Sequence, residues 1–198
     1  MARTKNEELH KKRKKQILAA AKKCFVEKGI HQASMQDICK TGKISPGALY
    51  RYFPSKQSII EALAALEHAE NLELIEYVAN ANDPVKALID AVPDLTKFLL
   101  DHEHARFLIE MSSEATRNSD VFRAFDEVDS QLKNELVRVF KQAKKEGRIQ
   151  TSTNLQSAVT TLFALFDGIV GLAATENPPK KAPLDKDLKR VIKALFAE

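Results

Sequence analysis

Between Phe122 and Phe140 apolar residues recur on one side at Phe122, Phe125, Val128, Leu132, Leu136, Val139 and Phe140. A strand would need steps of two; these steps of three and four bury one continuous side only in a helix. The same spacing recurs at Ile17, Leu18, Ala21 and Phe25, again at Ile59, Ile60, Leu63, Leu66 and Val78, and again at Leu184, Leu188, Val191, Ile192 and Leu195. No period-2 run or hairpin signal accompanies it. With only 6 glycines and 7 prolines in 198 residues, long helices can run uninterrupted. The chain is therefore expected to be all-α, with about nine helices.

The punctuation fits that expectation. Gly29 suits a left-handed cap after a first helix over about 8–28. Ser34 with Asp37 resembles a capping box for a second helix ending near Thr41. Ser45-Pro46 reads as N-cap plus first-turn proline of a very short third helix. A fourth runs from Lys56 to about Asn80. A fifth opens at Asp83-Pro84, with a kink or break expected at Pro93. Further helices are expected over about 103–114, 120–146 and 154–175, before a last one near the C-terminus.

Composition excludes several classes. Hydrophobic residues make up 44%, too many for a disordered chain. No apolar run approaches about 18 residues, so no membrane span is expected, and the basic N-terminus lacks the apolar core of a secretory signal. Cys24 and Cys39 have neither disulfide-framework nor metal-ligand spacing and fit a reducing, cytoplasmic setting, as small core residues. His102-Glu103-His104 reads as an exposed turn rather than a metal site. Neither a catalytic order of Ser, His and Asp nor a phosphate-binding glycine loop appears, so no enzyme, metal or cofactor is expected.

Charge is divided unevenly. Residues 1–56 carry 14 Lys/Arg against 4 Asp/Glu, and the remaining residues carry 17 against 23. A basic N-terminal third on an acidic body points to a polyanion-binding end. "KKRKK" at Lys11–Lys15 is either a solvated face or, with Arg3 and Lys5, an arm for backbone or minor-groove contact.

The basic excess ends with "TGKISPGALYRYFPSK", Thr41 to Lys56. Two short helices joined by a tight turn form a helix-turn-helix pattern. Ile38, Ile44, Leu49 and Phe53 are spaced to make its small core. Ser45, Pro46, Gly47, Ala48, Tyr50 and Arg51 are then offered outward, with small residues in the first turn to allow close approach to base edges. Tyr50 and Tyr52 can donate hydroxyls to phosphates. Lys56 in a helix's first turn opposes the macrodipole unless an anion sits there, which suggests a phosphate.

Ser34 through Lys56, with Asp37-Ile38 and "ISPGALYRYFPSK", resembles the helix-turn-helix of the TetR family of bacterial repressors. The detailed likeness covers about residues 10–65. The resemblance implies an N-terminal three-helix DNA-binding domain, set here at 1–56, and a helical ligand-binding and dimerisation domain, 57–198. It implies a homodimer that binds double-stranded operator DNA and is released by a small-molecule inducer, here unidentified. It carries DNA contact over to Ser34, Ser45, Pro46, Gly47, Ala48, Tyr50, Tyr52 and Lys56. One departure stands out: the family's usual Ala-Gly turn reads Gly42-Lys43 here. Either Gly42 takes the positive φ or Lys43 does so at some cost, and Lys43 can add a phosphate contact.

The C-terminal expectations are less sharply drawn. Phe98, Phe107, Met111, Phe125, Phe163 and Phe166 are most simply core residues, some of which would line a cavity if the family analogy holds. Glu110 and Glu114, spaced i and i+4, are either an acidic edge or carboxylates that select a ligand, and Asp167 is either a buried ligand contact or, as the family resemblance implies for an Asp-Gly here, a structural residue. Ala164, Gly168, Gly171 and Ala174 form a strip of small residues suited to close helix approach, expected to cross its symmetry mate together with Leu188 and Ile192 of the last helix. The alternative is a DNA-binding protein whose C-terminal half takes a protein partner and no inducer.

Overall fold

The computed structural model describes residues 2–197, leaving aside the side chains of residues 2–6, His68 and Glu70. Among the described residues there are nine α-helices and no strand: α1 (Ala2–Lys28), α2 (Met35–Gly42), α3 (Pro46–Tyr52), α4 (Lys56–Asn80), α5 (Pro84–Leu99), α6 (His102–Ala115), α7 (Ser119–Lys145), α8 (Leu155–Ala173) and α9 (Lys181–Phe196). The chain forms two compact units. One comprises Met1–Leu66 and Glu110–Phe125; the other comprises Glu67–Ile109 and Asp126–Glu198. The first is wider than residues 1–56, because it takes in the start of α4 and the adjoining ends of α6 and α7.

The caps explain where the helices begin. Ser34 accepts from the Asp37 backbone N–H while the Asp37 carboxylate accepts from that of Ser34, a complete capping box. Ser45 accepts from Ala48 N–H, with Pro46 in the first turn of α3. Asp83 and Asn154 cap α5 and α8 in the same way. Gly29 and Gly147, at φ of 79° and 71°, follow α1 and α7 in the left-handed region. Pro93 lies inside α5, which continues unbroken through it.

The first unit buries Ile17, Ala21, Cys24 and Phe25 of α1 with Ile38, Cys39, Ile44, Leu49 and Phe53. Both cysteines are buried free thiols, and burial pushes their pKa values up. In the second unit the core joins Val85, Leu88 and Val92 of α5, Leu136 and Phe140 of α7, Leu162 of α8 and Phe196 of α9. The rings of Phe140 and Phe196 stack with centroids 4.2 Å apart. Buried Thr96 donates to Val92 O and binds the Asp185 carboxylate, linking α5 to α9.

Several expectations need correction. Leu188 and Ile192 are buried in this core with α5, since α9 turns its one apolar stripe inward; they are not surface residues. Phe122, expected on a core face, is half exposed. His102 and His104 occupy the first turn of α6 rather than a loose turn, and His104 is buried 3.5 Å from Glu67. By length and composition alone α8 could cross a bilayer, contrary to the expectation that no segment could. One side of it packs Ala158, Val159, Leu162, Ile169 and Val170 into the second unit, while Leu165 and Leu172 are exposed on the other.

Candidate functional site

α2, a turn over residues 43–45 and α3 make the helix-turn-helix, and α1 packs against α2. The turn resolves the Gly42-Lys43 question. Lys43 takes the left-handed conformation, φ 51° and ψ 49°, and its N–H reaches back to Lys40 O and Cys39 O. Gly42 is needed for space instead. A Cβ there would lie 2.8 Å from the Ala20 Cβ of α1 and 2.6 Å from Ile44 Cδ1. The glycine lets α1 approach and the lysine absorbs the turn. A non-glycine residue in this conformation costs about 1–2 kcal/mol. Lys43→Gly should therefore raise the thermal midpoint by a few degrees, while lowering the salt slope of DNA binding by about 1 through the lost cation. Calorimetry and a salt titration check both halves, and an unchanged slope would remove Lys43 from the DNA contacts.

Lys43, Ser45, Pro46, Gly47, Tyr50 and Arg51 are exposed, and Ala48 is half-buried. A Cβ on Gly47 would meet nothing within 4 Å, so the first turn of α3 is open to close approach. Tyr50 is 52% exposed. Losing its hydroxyl in Tyr50→Phe should weaken DNA binding by about 1 kcal/mol; equal affinities in a direct titration would place that hydroxyl off the DNA. Tyr52 is half-buried, its ring 4.7 Å from His10 of α1 and under the Arg51 guanidinium. The Ser34 hydroxyl is exposed but engaged in its cap, donating to Asp37 Oδ2 at 2.6 Å. Lys28 holds the other Asp37 oxygen at 2.5 Å. Hydrogen bonds from Lys28 and then Ser34 hold the Asp37 pKa well below the usual carboxylate range. The expected arm residues Arg3 and Lys5 lie outside the described side chains.

Lys56 differs from its expected role. Its ammonium donates to Ile30 O at 2.7 Å, Ala33 O at 3.0 Å and His31 O at 3.2 Å. An ammonium has three hydrogens, and all three are used. The carbonyls of the loop after α1 thus supply the negative charge that a cation at the start of α4 requires, and no phosphate is needed to explain it.

The second unit holds a groove of about 400 Å³ between α4 and α5, lined by Asn71, Leu74, Tyr77, Asp90, Asp94 and Phe98 among others. A deeper slot of about 90 Å³ shares Asn71, Leu74, Leu95 and Phe98 with it and is closed by residues such as Leu136, Leu162, Phe163 and Phe166. Of the expected ligand residues, Phe98 and Phe163 line the slot. Phe107 is buried elsewhere in this unit. Glu110, Met111, Glu114 and Phe125 belong to the first unit, because α6 and α7 each pass from one unit to the other. Burial raises the pKa of Glu114, but hydrogen bonds from Arg117 and Asn118 outweigh it and hold the pKa below its usual value. Asp167 is exposed beside Asp129 and Lys133 rather than in the slot; partial desolvation and the Asp129 charge raise its pKa. Asn71, the polar residue common to both cavities, was missed because a single amide in a helix gives no periodic signal. Among the described residues no cluster of His, Cys, Asp and Glu could hold a metal.

Comparison with known proteins agrees with this geometry. Residues 17–63 match the bacterial regulatory proteins, tetR family, and residues 82–197 match the C-terminal domain of BetI-type transcriptional repressors. The chain is 26% identical over 179 residues to the HTH-type transcriptional regulator UidR of Escherichia coli K12, covering 89% of each. Salmonella enterica GusR superposes with a TM-score of 0.78 at 27% identity, over 93% of this chain and 95% of that one. FadR of Bacillus subtilis, solved with stearoyl-CoA, superposes with a TM-score of 0.73 at 19% identity, over 89% and 96%. With a helix-turn-helix in its first unit and repressor-type helices filling its second, the chain belongs to the tetR family of bacterial regulatory proteins and is a DNA-binding transcriptional regulator.

Proposed function

We propose that this regulator is a repressor that binds a palindromic operator as a homodimer and leaves it when a small molecule enters the second unit. The observation that carries the DNA half is the face of α3. Small residues at its open first turn adjoin exposed Tyr50, Arg51 and Lys43, so bases and phosphates can be met from one surface. Support for the ligand half comes from the groove and slot, and from FadR, a protein of the same fold that holds stearoyl-CoA. Support for the dimer comes from α8, whose exposed side carries Ala164, Leu165, Gly168 and Leu172. A Cβ on Gly168 or Gly171 would meet nothing within 4 Å, leaving space for a second backbone.

A two-fold dimer presents two copies of α3 to matching half-sites. Selection from random DNA should accordingly return a near-palindrome, and a single unrepeated half-site would contradict the dimer reading. An inducer that lowers operator affinity must, by linkage, bind more weakly to the operator-bound protein by the same factor.

A further inference from the structure

We infer that Gln16 of α1 is a positioning residue for DNA reading: it holds the carbonyl of Gly42 and so keeps Lys43 in the conformation that offers its ammonium to the DNA backbone. This rests on the reading above that Lys43 belongs to the DNA-facing surface.

The turn that carries Lys43 is strained and has an easy way to relax. Among the described residues Lys43 is the one non-glycine residue at positive φ. It stands where helix ends of this kind usually place glycine, with its own N–H on Lys40 O at 3.3 Å and that of Ile44 on Cys39 O at 2.9 Å. Rotating the peptide plane between Gly42 and Lys43 would return φ of Lys43 to the ordinary negative range. Gly42 resists that rotation little, because it has no side chain. The Lys43 N–H, at 3.3 Å from its acceptor, is a weak hold on one end of the plane.

Gln16 holds the other end. Its Nε2 donates to Gly42 O at 3.1 Å, across 26 positions of the chain. Arg13 Nη1 donates to Gln16 Oε1 at 2.7 Å, which turns the amide so that its NH2 group faces the turn. Gln16 also stands one helical turn before Ala20, whose Cβ needs the space that Gly42 leaves. The same close approach of α1 therefore brings the amide within reach of the carbonyl. Rotation of the peptide plane would break this bond and turn the carbonyl away from α1. Within the basic run Lys11–Lys15, Arg13 thus has a task of its own: it orients the residue that clamps the turn.

The test compares Gln16→Met, Lys43→Gly and the double variant, each as the full chain, on the duplex that selection from random DNA returns. Methionine keeps the length of glutamine and carries no charge. Gln16→Met should nonetheless lower the salt slope of binding by about as much as Lys43→Gly does, because the displaced ammonium no longer neutralises its phosphate. Affinity should fall about fivefold per half-site, the loss of one exposed charge contact. In the Lys43→Gly background the same substitution should change neither quantity, since glycine holds the turn without strain and no ammonium is left to place. Exchange of the Lys43 amide proton should quicken severalfold in Gln16→Met, while the amides of Ile17 and Phe25 keep their wild-type rates. Circular dichroism confirms that each variant is folded. A purely structural role would lower the thermal midpoint and leave the slope as it was, and that result overturns the inference. A slope that falls equally in both backgrounds assigns the effect to Arg13 on the DNA and also overturns it. If Lys43→Gly leaves the slope unchanged, Lys43 is off the DNA and the inference fails, while operator binding itself stands. A protein that selects no duplex overturns the operator reading as well.

Discussion

Lys56→Met lowers the thermal midpoint by roughly 6–12 °C and leaves the salt slope of DNA binding unchanged. Methionine keeps the apolar stem but removes three charge-assisted hydrogen bonds, to Ile30 O, His31 O and Ala33 O. Ile30 and Ala33 are themselves buried, so their carbonyls lose a partner where water reaches poorly. Leaving such groups unsatisfied costs about 1–3 kcal/mol each. A total near 3 kcal/mol is a large share of the 5–15 kcal/mol typical of a folded domain, and about 2–4 °C per kcal/mol is usual at this chain length. The salt slope counts cations on phosphates. An ammonium already surrounded by carbonyls adds none. The opposite outcome, wild-type stability with a slope reduced by about 1, would return Lys56 to the DNA backbone.

Gly168→Glu should give a folded, helical monomer that binds the full operator at least about 100-fold more weakly. Gly168 is exposed on α8 between Leu165 and Leu172, which are 38% and 54% exposed. Within one chain the new side chain meets no atom, because a Cβ at this position has open space around it. Glutamate is also a better helix former than glycine. The single chain should therefore tolerate the change or gain slightly from it. In the proposed dimer the same side chain would face its symmetry mate, adding bulk and a desolvated like charge. Two half-sites held by one rigid dimer combine their binding energies, and separate monomers lose that gain. Sedimentation and operator titration decide the matter together. A Gly168→Glu protein that stays dimeric with normal operator affinity places the interface elsewhere.

Much of the first unit was legible in the sequence because its signals are local. Ser34 with Asp37, and Ser45 with Pro46, act within one turn of where they stand, so their caps could be placed without any tertiary knowledge. Gly42-Lys43 could not be settled that way, because one of the two close neighbours of Gly42 is Ala20, 22 positions earlier in the chain. Lys56 misled for a related reason: a helix N-terminus shows that a cation needs a negative partner, and the loop after α1 is as suitable as a phosphate. In the second unit, periodicity marked the apolar stripe of α9 but not what covers it. Leu188 and Ile192 therefore read equally well as interface or core, and they are core. Glu110 and Glu114 share a face of α6 by spacing, yet spacing does not say toward which unit that face turns. Phe98 and Phe163 were found as aromatics. Asp90 and Asp94, which line the groove, were not singled out, since acidic residues one turn apart are common on any solvated helix.

The brevity of α3 has a consequence for when DNA can be read at all. Seven residues make about two turns, far below the length at which a helix persists alone in water. It holds its shape through Leu49 and Phe53, which are buried in the first unit, and through the Tyr52 ring against His10. Release of these anchors costs α3 its helix as a whole, so its amide protons should exchange with solvent together, through one opening of the segment. Binding competence would switch on and off with that opening as a unit.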